Sequence, residues 1–109
     1  MMYTIKETDQ FSSCLERLKD IKARRRILMR LRSAQLGNLG DVKRVDREIY
    51  EMRIYIRKGY RLYFTIVGMS LVMIICAGAK DSQNRDIKKA RRILKQLGPE
   101  EFINENQDF

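Results

Sequence analysis

Residues 49–67 read IYEMRIYIRKGYRLYFTIV, and how they pair decides the fold. Two β-prone runs, 49–56 and 60–67, flank Arg57-Lys58-Gly59, and apolar and polar positions alternate along the first of them. In an antiparallel hairpin, directly opposite residues share a face and their position numbers have a constant sum. A three-residue loop at Arg57-Lys58-Gly59, with Gly59 left-handed, sets Ile56 opposite Tyr60, Ile54 opposite Leu62 and Met52 opposite Phe64. That face is apolar throughout and is expected to pack on helices. The other face then pairs Tyr55 with Arg61, Arg53 with Tyr63 and Glu51 with Thr65, gathering arginine and tyrosine on an open side of the sheet. A two-residue turn at Gly68-Met69 adds a strand over 71–77, with Phe64 meeting Met73 and Leu62 meeting Ile75. In this register Val72, Ile74 and Cys76 lie on the arginine side, and Lys80 stands at its edge.

Working outward, residues 2–6 form a short first strand, and Thr8 or Asp9 caps a helix with Phe11, Cys14, Leu15 and Leu18 on one face. A second helix starts near Asp20-Ile21 and turns Ala23, Ile27, Leu28, Leu31 and Ala34 toward the core. Gly37-Asn38-Leu39-Gly40-Asp41 ends this helical hairpin. Ser82 is positioned to cap a third helix, with Ile87, Ala90, Leu94 and Leu97 on one face and Gly98-Pro99 as its stop. The expected fold is α+β: an N-terminal helical hairpin packed on a twisted antiparallel sheet of about four strands, plus a C-terminal helix. Residues 1–99 make the single domain. Residues 100–109, with Glu100, Glu101, Glu105 and Asp108 and no base, form an acidic tail that either frays or folds back on the basic surface.

The 109 residues carry 23 Lys and Arg against 14 Asp and Glu, a formal net charge of +9. Such a field points to a polyanionic partner, the bland alternative being a solvated basic surface. The chain has no histidine, so the commonest proton shuttle near neutral pH and the commonest metal ligand are both missing. Cys14 and Cys76 lack metal or C-x-x-C spacing and read as buried thiols in a reducing compartment. No leader pattern opens the chain. Residues 64–79 are uncharged, but they fall short of the roughly 20 residues a spanning helix needs. Gly68-Met69-Ser70 interrupts them, so two strands fit better than a membrane span. A cytoplasmic protein without cofactor, metal or membrane association is expected.

Arginine forks bind phosphate bidentately and tyrosines stack on bases, so the Arg53, Arg61, Tyr55 and Tyr63 face suits single-stranded RNA. The same four residues also make sense as a cation–π lattice that serves stability alone. The run Arg24, Arg25, Arg26, Arg30 and Arg32 either grips nucleic acid or is a solvated helix face.

The ordered set G-N-L-G-D-V-K (37–43), E-M-R-I (51–54), G-Y-R-L-Y-F (59–64), C-A-G-A-K (76–80), Gln83 and D-I-K-K-A (86–90) resembles the RelE/ParE toxin superfamily. It is most similar to the HigB-like addiction module killer branch, over about residues 8–97. The resemblance implies a toxin of a type II toxin–antitoxin module. Such a toxin is a metal-independent, ribosome-dependent messenger RNA endoribonuclease (an mRNA interferase) that inhibits translation. A helix-turn-helix antitoxin would neutralise it in a hetero-oligomer, covering the basic surface or the strip Val72, Ile74 and Cys76. The alternative within the superfamily is a non-enzymatic inhibitor of DNA gyrase.

Carried over by position, Arg61 matches the G-Y-R arginine, Arg53 a basic position on the preceding strand, and Lys80 the basic position after the last strand. Arg61 and Arg53 then stabilise phosphorane charge, Lys80 supports the phosphate or acts as acid, and Tyr63 or Glu51 moves protons. Lys43, Tyr55, Arg57, Lys58, Arg25 and Arg26 are the accompanying nucleic-acid contacts. The tyrosine or histidine that some members place near the C-terminus has no match, since K-D-S-Q-N-R occupies that region, and Glu51 stands where some members have a second lysine.

Overall fold

The computed structural model describes residues 2–107, with side chains through Leu97. Among these residues the chain forms β1 (Thr4–Glu7), α1 (Asp9–Arg17), α2 (Ile21–Gln35), β2 (Val42–Arg44), β3 (Tyr50–Ile54), β4 (Tyr60–Val67) and β5 (Leu71–Ala79). A 3-10 turn at Lys80–Ser82 leads into α3 (Gln83–Gln107). The fold is α+β, as the sequence suggests. Its sheet has five strands in the order β1-β5-β4-β3-β2, however, and it is mixed: β1 runs parallel to β5. The strand missed in the sequence is β2, only three residues (Val42-Lys43-Arg44) and too charged to show an apolar alternation.

Local chemistry explains the helix starts. Thr8 accepts the Phe11 N–H at 3.1 Å to cap α1, and Asp20 accepts the Ala23 N–H at 3.1 Å to cap α2. Ser82 behaves differently from its expected capping role, because its hydroxyl donates to the Ala79 carbonyl and the Asp86 carboxylate. The stop expected at Gly98-Pro99 also fails, since the α3 backbone runs on to Gln107. A proline removes one N–H from a helix, and flanking helix-formers such as Leu97, Glu100 and Glu101 can carry the turn past it. The acidic segment is thus helical as far as Gln107, and the last two residues lie outside the described ones.

The hairpin register is two residues away from expectation. Ile54 pairs with Tyr60, Met52 with Leu62, Arg53 with Arg61 and Glu51 with Tyr63. Tyr55 and Ile56 leave the ladder and join a five-residue loop, in which Arg57 (φ 51°) and Gly59 (φ 85°) are both left-handed. Arg57 is drawn to Asp20 at 2.7 Å, while Ile56 packs against the core. Because side chains alternate with period two, a slip of two leaves every face assignment on these strands intact. Met52, Ile54, Leu62 and Phe64 therefore pack on Phe11, Ile27 and Leu31 of the helical hairpin.

On β5 the displacement is one residue over 71–74 and two residues beyond the bulge. The β4–β5 turn takes three residues, Gly68 to Ser70, and a bulge between Tyr63 and Phe64 sets Cys76 opposite Tyr63 but Ile74 opposite Phe64. Val72 and Ile74 consequently join the helical-hairpin core, opposite to expectation, and only Cys76 remains on the arginine side. β5 is buried on both faces, which is why it reads as a continuous apolar run. α3 is the cause: its Ala90 and Ile93 cover the second face against Ile49, Tyr63, Met73, Ile75 and Cys76. α3 therefore covers part of the arginine face and leaves the end with Arg53 and Arg61 open. Among the described residues no helix is long and apolar enough to cross a membrane.

Candidate nucleic-acid interface

The uncovered end lies beyond the first turn of α3, where the β3–β4 loop and the end of β5 meet. Arg53, Arg61, Tyr55, Tyr60, Lys80 and the Arg57-Lys58-Gly59 loop line a cleft of ≈ 460 Å³ there. The Lys80 N–H donates to the Gly59 carbonyl at 3.2 Å, which fixes the end of β5 against the loop. Arg53, Arg61, Lys80, Tyr55, Arg57 and Lys58 are thus brought together as the sequence suggested. Arg57 is committed in part to Asp20.

Glu51 organises the cleft from beneath. Its side chain is fully buried. Its Oε1 accepts from Arg53 Nε at 3.0 Å and from Arg61 Nη1 at 2.6 Å, and its Oε2 accepts from Gln83 Nε2 at 2.6 Å. The bond to Glu51, joined by one to Tyr55, raises the pKa of Arg53 above the ordinary arginine value. The Arg53 side chain is 30% exposed and that of Arg61 14%, so both reach solvent from a buried anchor. With both oxygens engaged by donors, Glu51 is poorly placed to move protons.

Tyr63 departs furthest from its expected role. It is fully buried beneath α3, and among the described residues its hydroxyl has no hydrogen-bond partner. Burial, then the nearby Glu51 and Asp86 charges, push its pKa well above the ordinary tyrosine value. A phenol so placed does not carry protons for a substrate in the cleft. The more exposed of the two phenols lining the cleft is Tyr55, 68% exposed, whose hydroxyl donates to Asp41 Oδ2.

The remaining expected contacts lie elsewhere. Lys43 shares the Glu51 face through its register but is exposed on β2, outside the cleft. Arg25 and Arg26 are exposed on α2, in the layer across the sheet.

Three residues have roles here that the sequence reading does not assign. Gln83 locks Glu51. Asp41 holds Tyr55. Arg30, grouped in the sequence with the α2 basic run, donates to the carbonyls of Arg53, Leu39 (2.9 Å) and Asp41 (3.4 Å). It thereby brackets the Gly37–Asp41 loop against β3. Gly40 is required there, since its φ is +71° and a Cβ would stand 2.7 Å from Arg30 Nη2. The available signal was a carboxylate, Glu51, set between core positions on a central strand, where burial demands a cationic partner.

Fold and site together define a small, basic α+β protein with a cationic cleft at one end of a mixed sheet. No protein-family model matches the chain. An uncharacterized protein of Haemophilus influenzae is 40% identical over 98 residues, which cover 90% of this chain and 99% of that protein. The chain belongs to the same family as that protein.

Proposed function

We propose that this protein is a RelE-like toxin of a type II toxin–antitoxin module, acting in the cytoplasm as a ribosome-dependent messenger RNA endoribonuclease. The observation that carries this reading is the cleft in which Arg53, Arg61 and Lys80 converge beside Tyr55 and Tyr60. Cleavage to a 2′,3′-cyclic phosphate requires a base for the 2′-hydroxyl, cations for the phosphorane oxygens and an acid for the leaving 5′-oxygen. Arg53 and Arg61 supply the cations. Lys80, exposed at the mouth, serves the leaving oxygen. The Tyr55 phenol, polarised by Asp41, takes the proton role in place of the buried Tyr63. The cognate antitoxin covers basic surface, because Val72 and Ile74, the apolar strip expected to meet it, are interior.

Induction followed by primer extension on messenger RNA tests this. Arg61→Ala is expected to lower cleavage by about 10²–10³-fold, the usual loss for one charge-stabilising donor. Growth arrest that survives Arg61→Ala with transcripts intact refutes the nuclease reading. A second reading, a toxin that binds and inhibits DNA gyrase, is favoured by the burial of Tyr63, which leaves fewer proton carriers than cleavage normally uses. Inhibition of gyrase supercoiling by the purified protein is its positive test.

A further inference from the structure

Arg53 and Arg61 are direct register partners on β3 and β4. Like charges directly opposite each other destabilise a sheet, so the pair needs an anion between them. Glu51 meets that need in an unusual place. A carboxylate that merely cancelled charge would sit at the surface, where water solvates it. This one is fully buried, with one oxygen shared by the two guanidinium groups and the other held by Gln83 from α3. With one bond each to Glu51, both guanidinium groups keep further N–H donors and exposed surface on the cleft. Two cations on one anion leave a net positive charge at the floor of the cleft.

We propose that Glu51 is the positioning residue of the cleft: it sets Arg53 and Arg61 as one aligned pair for a single RNA phosphodiester, and Gln83 ties that alignment to α3. The inference rests on the reading of the cleft as an RNA phosphate site. The carboxylate never touches the substrate. It holds two side chains that do, and holding them still is what charge stabilisation in a transition state requires.

The test compares Glu51→Gln, Glu51→Asp and wild type in two measurements: binding of a 2′-O-methyl oligonucleotide across a salt titration, and single-turnover ribosomal cleavage. Glu51→Gln keeps the shape and removes the charge, so it releases two guanidinium groups to the cleft. Binding is expected to tighten several-fold at low salt, with a slope steeper by about one phosphate contact. Cleavage is expected to fall about 100-fold, the usual effect of misplacing a group by an ångström. Glu51→Asp keeps the charge and shortens the reach, so cleavage falls while the salt slope stays at the wild-type value.

Loss of binding and cleavage together in Glu51→Gln, with a lowered melting temperature, assigns Glu51 a purely structural role and overturns the proposal. So does no change in either. If the Glu51 variants do not fold, Gln83→Leu leaves both ion pairs in place and frees the carboxylate; cleavage should drop with binding retained, and unchanged cleavage overturns the proposal. Inorganic phosphate separates this inference from the functional reading. If wild type ignores RNA, yet phosphate shifts the Arg53 and Arg61 Nε–H resonances with one shared affinity in wild type and with two separate affinities in Glu51→Gln, the RNA reading fails and the positioning role stands. No response to either probe overturns both.

Discussion

Replacing Gly78 with alanine should cost more than its single methyl group suggests. Gly78 lies on β5 opposite Arg61, directly under the first turn of α3. A Cβ there would stand 1.8 Å from Asp86 Oδ2, 2.6 Å from its Cγ and 3.1 Å from Ser82 Oγ. The Asp86 carboxylate is buried and receives the Ser82 hydroxyl, so the methyl fits only if that carboxylate moves. Losing a hydrogen bond to a charged group costs about 1.5–3 kcal/mol, and overpacking adds about 1–3 kcal/mol. The sum, about 4 kcal/mol, is a large part of the roughly 5–15 kcal/mol that holds a domain together. At about 4 °C per kcal/mol for a domain near this size, the melting temperature should fall by about 15 °C.

Gly68→Ala is the control. Gly68 has φ +62°, and among the described residues nothing lies within 4 Å of its would-be Cβ. It should therefore lose only the left-handed penalty, about 1–2 kcal/mol. Circular-dichroism melts of the two variants compare contact with conformation directly. A Gly78→Ala protein that melts as high as Gly68→Ala refutes the packing of Asp86 on β5.

Tyr63→Phe removes a buried hydroxyl without a partner, so chemical denaturation should show a gain of about 1 kcal/mol. On the proposed nuclease function, messenger RNA cleavage should stay at the wild-type level, and a large loss would restore Tyr63 as a proton carrier. Burial holds the Cys76 thiol up at about 12 against an ordinary 9.0. The unfolded chain therefore loses that proton first, and stability is full below about pH 9 and declines as pH rises toward 12. Denaturation midpoints between pH 8 and 11 should decline less steeply in Cys76→Ala, and an unchanged slope counts against the assignment.

The faces of β3 and β4 were legible because parity survives a slip of two. The loop moved Tyr55 and Ile56 out of the ladder, yet Met52, Leu62, Arg53 and Arg61 kept their sides. On β5 a three-residue turn changed parity for Val72 and Ile74 and a bulge restored it for Cys76, and no residue type there announces either, since all three are equally at home on both faces. The apolar stripe of α3, from Ile87 to Leu97, was visible, but a stripe shows that a helix is buried and not against which side of a sheet. That missing direction is what misplaced Tyr63. Arg53 and Arg61 were found by alternation alone. Glu51 between them was seen as a departure from a pattern, whereas its burial, which only the three-dimensional packing of α3 creates, makes it the centre of the site.

The parallel pairing of β1 with β5 has a consequence for the order in which this chain acquires its shape. Thr4–Glu7 finds its partners at residues 71–74, so the first strand made has no place in the sheet until most of the chain exists. Such long-range closure slows folding relative to local hairpins. On a ribosome adding about 5–20 residues per second, β1 waits several seconds for β5. Lys80 and Gln83 emerge later still. A nascent chain can form its helical hairpin and the β3–β4 ribbon early, but the cleft comes together only after Lys80 and Gln83 have followed β5.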